Sequence, residues 1–190
     1  MKQRLASGQQ RQRQPTVLTI GHSTRALEEF IQLLQGHEVT CVVDVRTVPR
    51  SRHNPQFNRE TLPQALKGAG IAFHALPGLG GFRRSADDSI NTAWENHSFR
   101  GFADYMQTRE FEHSLNELIA LAREQRVVLM CAEAVPWRCH RSLIADALLA
   151  RGIATEHILS DKPRQPHVFP AFAKVSGTSV TYPGTHGQDR

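Results

Sequence analysis

Short apolar runs that alternate with helical patterns constrain the fold of this chain more than any other feature of its sequence. Five runs are predicted to be β-strands, because they are apolar, rich in β-branched residues and bounded by polar or glycine-containing segments: residues 17–20, 39–45, 71–76, 127–131 and 153–159. Most of the intervening segments carry apolar residues at helical spacing. The alternation predicts an α/β fold, a three-layer sandwich with a mainly parallel central sheet of about five strands.

The domain organisation follows from length and local composition. Residues 15–161 are predicted to form a single α/β domain, since 190 residues suffice for one core. Residues 1–14 hold four Lys or Arg, no acid and no apolar core, so we expect a disordered basic leader and no signal peptide. Residues 162–190 are dominated by proline, glycine and polar residues, which predicts a partly disordered C-terminal tail.

Charge and cysteine content narrow the class of protein. The formal net charge is +5, but the chain outside the leader has 19 basic and 18 acidic residues, so net charge indicates no strongly basic nucleic-acid face. No run approaches the roughly 20 apolar residues that cross a bilayer, so no membrane partner is expected. Three cysteines, an odd number, fit free thiols in a reducing cytoplasm. The sequence indicates no particular oligomeric state.

Polar motifs directly follow three of the predicted strands. They are Gly21-His22-Ser23, Asp44-Val45-Arg46 and Cys131-Ala132-Glu133. Crossover connections are right-handed, so the carboxyl ends of parallel strands open on one edge of the sheet. Ligands of open α/β sheets bind at that edge. The sequence therefore predicts that the three motifs converge on one site.

Two cysteines flank the loop after the fourth strand. Cys131 ends the strand, and Cys139, His140 and Arg141 begin the next predicted helix, whose N-terminus favours anions and lowers the pKa of a thiol. One interpretation is a reactive thiolate, at Cys131 or Cys139, beside an anion site. The loop resembles that of cysteine-dependent phosphatases, but six residues instead of five separate Cys131 from Arg138 and the loop lacks glycine. The alternative is that Cys131 is a small buried core residue.

Two carboxylates offer a different chemistry. Asp44 and Glu133 follow apolar strands, where partial desolvation would suit a nucleophile or a general base. His22 and His140 would then carry protons. The alternative is that the two acids pair with Arg46 and Arg141 as internal struts.

A zinc site is a further alternative, because Cys131, Cys139, His140 and His22 are suitable ligand types. The chain has no paired C-x₂-C spacing, and the adjacent Cys139 and His140 would rarely both bind one ion. We therefore assign no residue as a metal ligand from the sequence, and zinc binding is kept as an alternative.

A basic loop follows the second strand. No acid occurs in it before Glu60, and its basic residues are Arg46, Arg50, Arg52, His53 and Arg59. A phosphate-bearing ligand or single-stranded nucleic acid could use these side chains. Only Phe57 interleaves with them, which gives little support to base stacking, and a solvated loop is the alternative.

Seven short motifs occur in a recognisable order. They are Gly21-His22-Ser23-Thr24-Arg25, Asp44-Val45-Arg46, Pro49-Arg50-Ser51, Leu79-Gly80-Gly81, residues 99–106, Met130-Cys131-Ala132-Glu133 and Cys139-His140-Arg141. In this order the chain resembles, from about residue 19 to residue 158, the bacterial family called domain of unknown function 488 (DUF488). The resemblance implies an α/β domain with its motif residues at the predicted sheet edge, and it implies no particular reaction.

The sequence thus predicts a cytoplasmic enzyme, a hydrolase or transferase, that acts on a phosphorylated, nucleotide-like or nucleic-acid ligand at the carboxyl edge of a parallel sheet. The candidate catalytic residues are Asp44, Glu133, Cys131, Cys139, His140 and His22. The candidate ligand-binding residues are Ser23, Arg46, Arg50, Ser51, Gly80, Gly81 and Arg141. The alternatives are a non-catalytic module that binds nucleic acid or a protein partner, and a thiol redox or metal-binding protein.

Overall fold

The computed structural model describes residues 14–184, so the predicted leader up to residue 13 and the last six residues of the predicted tail lie outside the described residues. The strands are β1 (Val17–Gly21), β2 (Cys41–Asp44), β3 (Ala72–Ala75), β4 (Val127–Cys131), β5 (Thr155–Ile158), β6 (Gln165–Pro166), β7 (Lys174–Ser176) and β8 (Ser179–Thr181). The helices are α1 (Leu27–Gly36), α2 (Leu62–Gly68), α3 (His97–Tyr105), α4 (Arg109–Glu124) and α5 (Arg141–Leu149).

The central sheet has six strands in the order β3-β2-β4-β1-β5-β6. The first five are parallel to their neighbours, and β6 adds a short antiparallel edge strand beside β5. The register places Gly21 of β1 opposite Cys131 of β4, and Asp44 of β2 opposite Met130 of β4. The predicted α/β class with a mainly parallel sheet is therefore confirmed, with one strand more than expected.

Helices cover both faces of the sheet. Alternate residues of β4 belong to two separate cores: Val127 and Leu129 pack with residues of α3, α4 and α5, whereas Val128 and Met130 pack with residues of α1 and α2. This alternation is what a strand buried on both faces requires, because successive side chains point to opposite sides of the sheet. The three-layer arrangement is confirmed.

A long segment without regular structure connects β3 to α3. It begins with a 3₁₀ turn at Pro77–Leu79 and is held to α3 through the Asp104 carboxylate. The Ser89 hydroxyl and the Asn91 side-chain amide donate to Oδ1 of Asp104 at 2.6 and 2.7 Å. These contacts fix the segment against the domain.

Residues 162–184, the described part of the predicted C-terminal tail, contain regular structure. They contain β6 and the antiparallel pair β7 and β8, and Val180 and Tyr182 lie in the core beside α5. The Tyr182 hydroxyl donates to Oδ2 of Asp146 at 2.7 Å. This contact attaches the segment to α5, because a buried tyrosine hydroxyl needs a hydrogen-bond partner.

Within residues 14–184, no helix combines the length and the apolar character that crossing a membrane demands.

Candidate functional site

The carboxyl ends of β1, β2 and β4 meet at one edge, as the parallel topology predicts. β4 lies between the other two strands, the His22 amide donates to the Cys131 carbonyl at 2.9 Å, and the Val45 amide donates to the Met130 carbonyl at 3.1 Å. A cleft of about 350 Å³ opens there. It is lined by Arg46, Thr47, Val48, Gly81, Phe82, Asn96, Ser98, Phe99, Cys131, Ala132, Glu133, Arg138, Cys139 and His140.

Two thiols and an imidazole form the base of this cleft. The sulfur atoms of Cys131 and Cys139 and a ring nitrogen of His140 all lie within 4.8 Å of one another, and Cys139 Sγ is 3.7 Å from His140 Nδ1. A hydrogen bond from the Cys139 thiol holds the pKa of Cys131 well below its usual value, against the effect of burial and with a further contribution from His140. Burial and the neighbouring Cys131 raise the pKa of Cys139. The surroundings therefore favour the thiolate form at Cys131 and the thiol form at Cys139.

His140 is oriented by the strand beside it. Its Nε2 lies 3.1 Å from the Val45 carbonyl, a partner that can only accept, so we assign a proton to Nε2 and leave Nδ1 facing the thiols. The ring packs directly on Gly81, where a Cβ atom would overlap Nδ1 and Cγ of His140. Gly81, a predicted ligand-binding residue, thus makes room for His140.

Arg141 and Gly21 hold the loop after β4 in place. The Arg141 guanidinium is buried and donates to the carbonyls of Glu133 and Ala134 at 2.6 and 3.0 Å. A Cβ atom on Gly21 would overlap the same Glu133 carbonyl. Arg141 therefore binds the loop backbone, whereas the Glu133 side chain is exposed at the edge of the cleft.

Asp44 and His22 are both occupied by Arg46. Arg46 donates from Nε and Nη2 to the two carboxylate oxygens of Asp44 at 2.8 and 2.7 Å, and its Nη1 lies 3.2 Å from His22 Nε2. His22 Nδ1 donates to the Ser23 carbonyl at 2.9 Å, and burial lowers the pKa of His22, so the ring is neutral. All three side chains are buried. The arrangement matches the strut that the sequence left as an alternative for Asp44.

Five predicted ligand-binding residues do not line the cleft: Arg141, which binds the loop backbone as described above, and Ser23, Arg50, Ser51 and Gly80. The Ser23 amide donates to the Ala132 carbonyl, and Gly80 packs against Thr47. The Ser51 hydroxyl accepts from the backbone amides of residues 53 and 54. Arg50 is exposed and pairs with an exposed glutamate, Glu60, at 3.2 Å. These residues shape the loops around the site.

The cleft also contains residues that sequence reasoning missed. Asn96 caps α3 by accepting from the amides of Ser98 and Phe99, and an asparagine before a helix is a pattern that could have located this N-terminus. Val48 and Phe82 at the cleft are 61% and 75% exposed, and no sequence pattern indicates them. Their position depends on how the two loops fold over the sheet edge.

The charges around the thiolate favour a small anion. The exposed Arg138 and Arg46, which is already paired with Asp44, line the cleft, and α3 and α5 begin at it with the positive ends of their helix dipoles. Glu133, which is exposed, is the one acidic side chain among the residues that line the cleft.

The same thiol cluster also suits a metal ion, since Cys131, Cys139 and His140 each offer one ligand atom at mutually compatible distances. The bond from His140 Nε2 to a backbone carbonyl is the support that metal-binding histidines commonly have. His22, the fourth zinc ligand type considered from sequence, bonds to Ser23 and Arg46 and does not belong to the cluster.

Comparison with protein families gives one match: the family model described as Domain of unknown function DUF488 matches residues 26–148. The matched span includes the thiol cluster and the Asp44–Arg46 pair. Neither the curated proteins nor the solved structures contain a match to the chain.

Proposed function

The chain belongs to the DUF488 family, and we propose that it is a cysteine-dependent enzyme, a hydrolase or transferase, acting on a small anionic ligand such as a phosphorylated or nucleotide-like compound. The observation that carries this proposal is the cluster of Cys131, Cys139 and His140 at the base of an open cleft, where the contacts of Cys131 favour its thiolate form. Thiolates, not thiols, are the nucleophiles of cysteine enzymes, and they occur where hydrogen-bond donors and positive charge surround a partly accessible sulfur.

In the proposed reaction, Cys131 Sγ attacks the electrophilic phosphorus or carbon atom of the substrate. The bond to the leaving group breaks as the bond to sulfur forms, and the leaving group takes the Nδ1 proton of His140, which would start the cycle as an imidazolium. Water or an acceptor hydroxyl then attacks the intermediate, gives its proton to His140 Nδ1 and releases Cys131 as a thiolate. Arg138 would hold the anionic group, because charge-assisted hydrogen bonds from guanidinium are the strong ones, whereas Arg46 is held by Asp44 and His22.

Alkylation by iodoacetate and iodoacetamide tests the proposal without a known substrate. At about pH 7, where an ordinary thiol is mostly protonated, Cys131 should react before Cys139 and Cys41, as mapped by mass spectrometry. The ratio of the iodoacetate rate to the iodoacetamide rate should exceed that of free cysteine, because the cleft attracts anions.

Two variants make this test specific. Arg138→Gln should lower the rate ratio toward that of free cysteine, and Cys41→Ser should leave it unchanged because Cys41 lies in the core. A Cys131 that reacts no faster than Cys139, or a ratio equal to that of free cysteine, would rule out an anion-binding thiolate enzyme.

A zinc enzyme is the second candidate, and the favourable geometry of Cys131, Cys139 and His140 supports it. These residues would hold zinc through two sulfurs and Nδ1, and bound zinc would supply an activated water. Elemental analysis of the purified protein should then give about one zinc per chain, and a chelator should speed the alkylation of Cys131. Metal-free protein with a reactive Cys131 favours the thiolate enzyme instead.

Redox chemistry is a third proposal, and the proximity of the two sulfurs, which lie within 4.8 Å of each other, supports it. Peroxide would oxidise Cys131 to a sulfenic acid with release of water, and attack by the Cys139 sulfur would expel a second water and form a disulfide. Mass spectrometry after peroxide treatment should show a Cys131–Cys139 disulfide. Two free thiols, or only irreversible oxidation of Cys131, would contradict this role.

A further inference from the structure

The thiol cleft has an apolar part that the proposed chemistry does not use. Its walls are mainly apolar, and Val48, Phe82, Phe99 and Ala132 are apolar residues among those that line it. Val48 and Phe82 are largely exposed, whereas the two thiols at the base of the cleft are buried. A concave, mainly apolar site with a few polar groups is the usual form of a small-molecule site.

Val48 and Phe82 lie on two loops that are packed against each other. The Phe82 amide donates to Thr47 Oγ1 at 3.5 Å. A Cβ atom on Gly80 would overlap the same hydroxyl, so the glycine permits this close approach. Val48 and Phe82 therefore belong to one part of the cleft wall, which we call the apolar rim.

The loop that carries Phe82 is held in place from both sides. The Arg83 guanidinium donates to the carbonyls of Gly80 and Gly78 at 3.0 and 3.1 Å, and it lies 3.7 Å above the Tyr105 ring. The Tyr105 hydroxyl donates to the Gly78 carbonyl at 2.7 Å. An apolar side chain stabilises a fold through burial, so an exposed phenylalanine on an anchored loop is available to contact a ligand.

The polar part of the cleft complements an anion. Arg138 is exposed there, and α3 and α5 begin at the cleft with the positive ends of their helix dipoles. The volume of about 350 Å³ is at the lower end of the usual range for ligand sites, which limits the occupant to a small molecule. A ligand that satisfies both parts of the cleft carries an anionic group and an apolar group close together.

We propose that the ligand is an aryl anion, in which an aromatic ring is joined to a phosphate-like group. This inference rests on the proposed function for the anionic group and adds the ring. The anionic group would bind at Arg138, and the ring would cover the apolar rim. An aromatic ring suits this wall because pairs with Phe82 and Phe99 contribute affinity beyond the area that they bury.

Three small probes separate the contributions of the ring and the anion. Phenylphosphonate has both groups, methylphosphonate has the anion alone, and benzyl alcohol has the ring alone. The phosphonates keep their organic group, because it is joined to phosphorus through carbon. In calorimetric titration of the native protein, phenylphosphonate should bind about tenfold more tightly than methylphosphonate and than benzyl alcohol.

Three variants assign these contributions to residues. Phe82→Ala should weaken phenylphosphonate binding about three- to tenfold and leave methylphosphonate binding unchanged. Arg138→Gln should weaken the binding of both phosphonates. Ile90→Ala is the matched control: Ile90 is also largely exposed, but it is not among the residues that line the cleft, so both affinities should be native.

The aryl ligand is overturned if phenylphosphonate shows no saturable binding, if native protein binds the two phosphonates equally, or if Phe82→Ala keeps the native preference for the ring. Benzyl alcohol that binds as tightly as phenylphosphonate would also overturn it, because the anion would then contribute nothing. Phosphonate binding requires no attack by Cys131, so these results are independent of the alkylation experiments. Slow alkylation of Cys131 would therefore reject the nucleophile alone.

Discussion

At the scale of single residues, the thiolate depends on His140 standing beside the two sulfurs. His140 can take this position because Gly81 has no side chain and because the Val45 carbonyl fixes the other ring nitrogen. The sequence pattern predicted Cys131, Cys139 and His140 as candidates, since they flank one loop. The contact with Gly81 could not be predicted, because it depends on the path of a long segment that returns to the sheet edge.

Gly81→Ala tests this dependence. The added Cβ would overlap His140, so the variant should lose about 1–3 kcal/mol of unfolding free energy in urea. It should also alkylate more slowly at Cys131 below neutral pH, because a displaced His140 no longer helps to stabilise the thiolate.

Gly68→Ala is the matched control, because nothing lies within 4 Å of a Cβ atom at this helical position. It should be unchanged or up to about 1 kcal/mol more stable, with native alkylation. Native stability and reactivity in Gly81→Ala would show that His140 does not depend on this contact.

At the scale of elements, the ends of the parallel strands made the location of the site predictable, but not the role of each side chain there. Buried parallel strands read clearly as apolar runs, and their shared direction places Arg46 and Cys131 in one cleft. The role of Asp44 could not be predicted, because a carboxylate at the end of a strand gives the same sequence pattern whether it is catalytic or paired with an arginine. The structure shows it paired with Arg46. α3 begins at His97, after the Asn96 cap, and its first turn is too weakly apolar for helical periodicity to locate that start.

Asp44→Asn tests the strut at the end of β2. Arg46 would keep its charge in a buried position without the carboxylate that it grips with two hydrogen bonds, so unfolding free energy should fall by about 3–5 kcal/mol. Glu60→Gln, which breaks the exposed pair with Arg50, should leave the free energy of unfolding close to the native value, because solvent screens that pair. Equal effects of the two variants in urea denaturation would contradict a structural role for Asp44.

At the scale of the whole molecule, the segment after β5 joins the last strands to α5 through Asp146. The composition of this segment gave no sign of structure. Its His167 and Tyr182 bind Asp146 of α5, a partner that local composition does not reveal. Such side-chain networks have no periodicity, and a sequence pattern cannot show which polar residues will be buried together. Because this buried network contains histidines, the free energy of unfolding should depend on pH.

His157 provides the expected pH dependence of stability. Burial, with the nearby His167 and Arg141, lowers its pKa from 6.5 to about 4. Between these values the unfolded chain binds more protons than the folded one, so stability is full above pH 6.5 and is lost as the pH falls toward 4. The contribution of this group is about 3 kcal/mol.

Urea denaturation between about pH 7 and about pH 4 measures this effect. His157→Gln should lose less stability over that range than the native protein, whereas the exposed control His53→Gln should follow the native protein. If His157→Gln shows the native pH dependence, the histidine is not held neutral by the fold.

The ionisation of Cys131 is the central claim, and the ultraviolet absorbance of its thiolate measures it directly. The difference between native protein and Cys131→Ser should show one thiolate, constant from about pH 5 to about pH 8, whereas an ordinary thiol ionises near 8.5. Cys41→Ser should not change this signal, because burial raises the pKa of Cys41 to about 11. A difference signal that emerges only above about pH 8 would mean that Cys131 is protonated at neutral pH, and the proposed nucleophile would not exist.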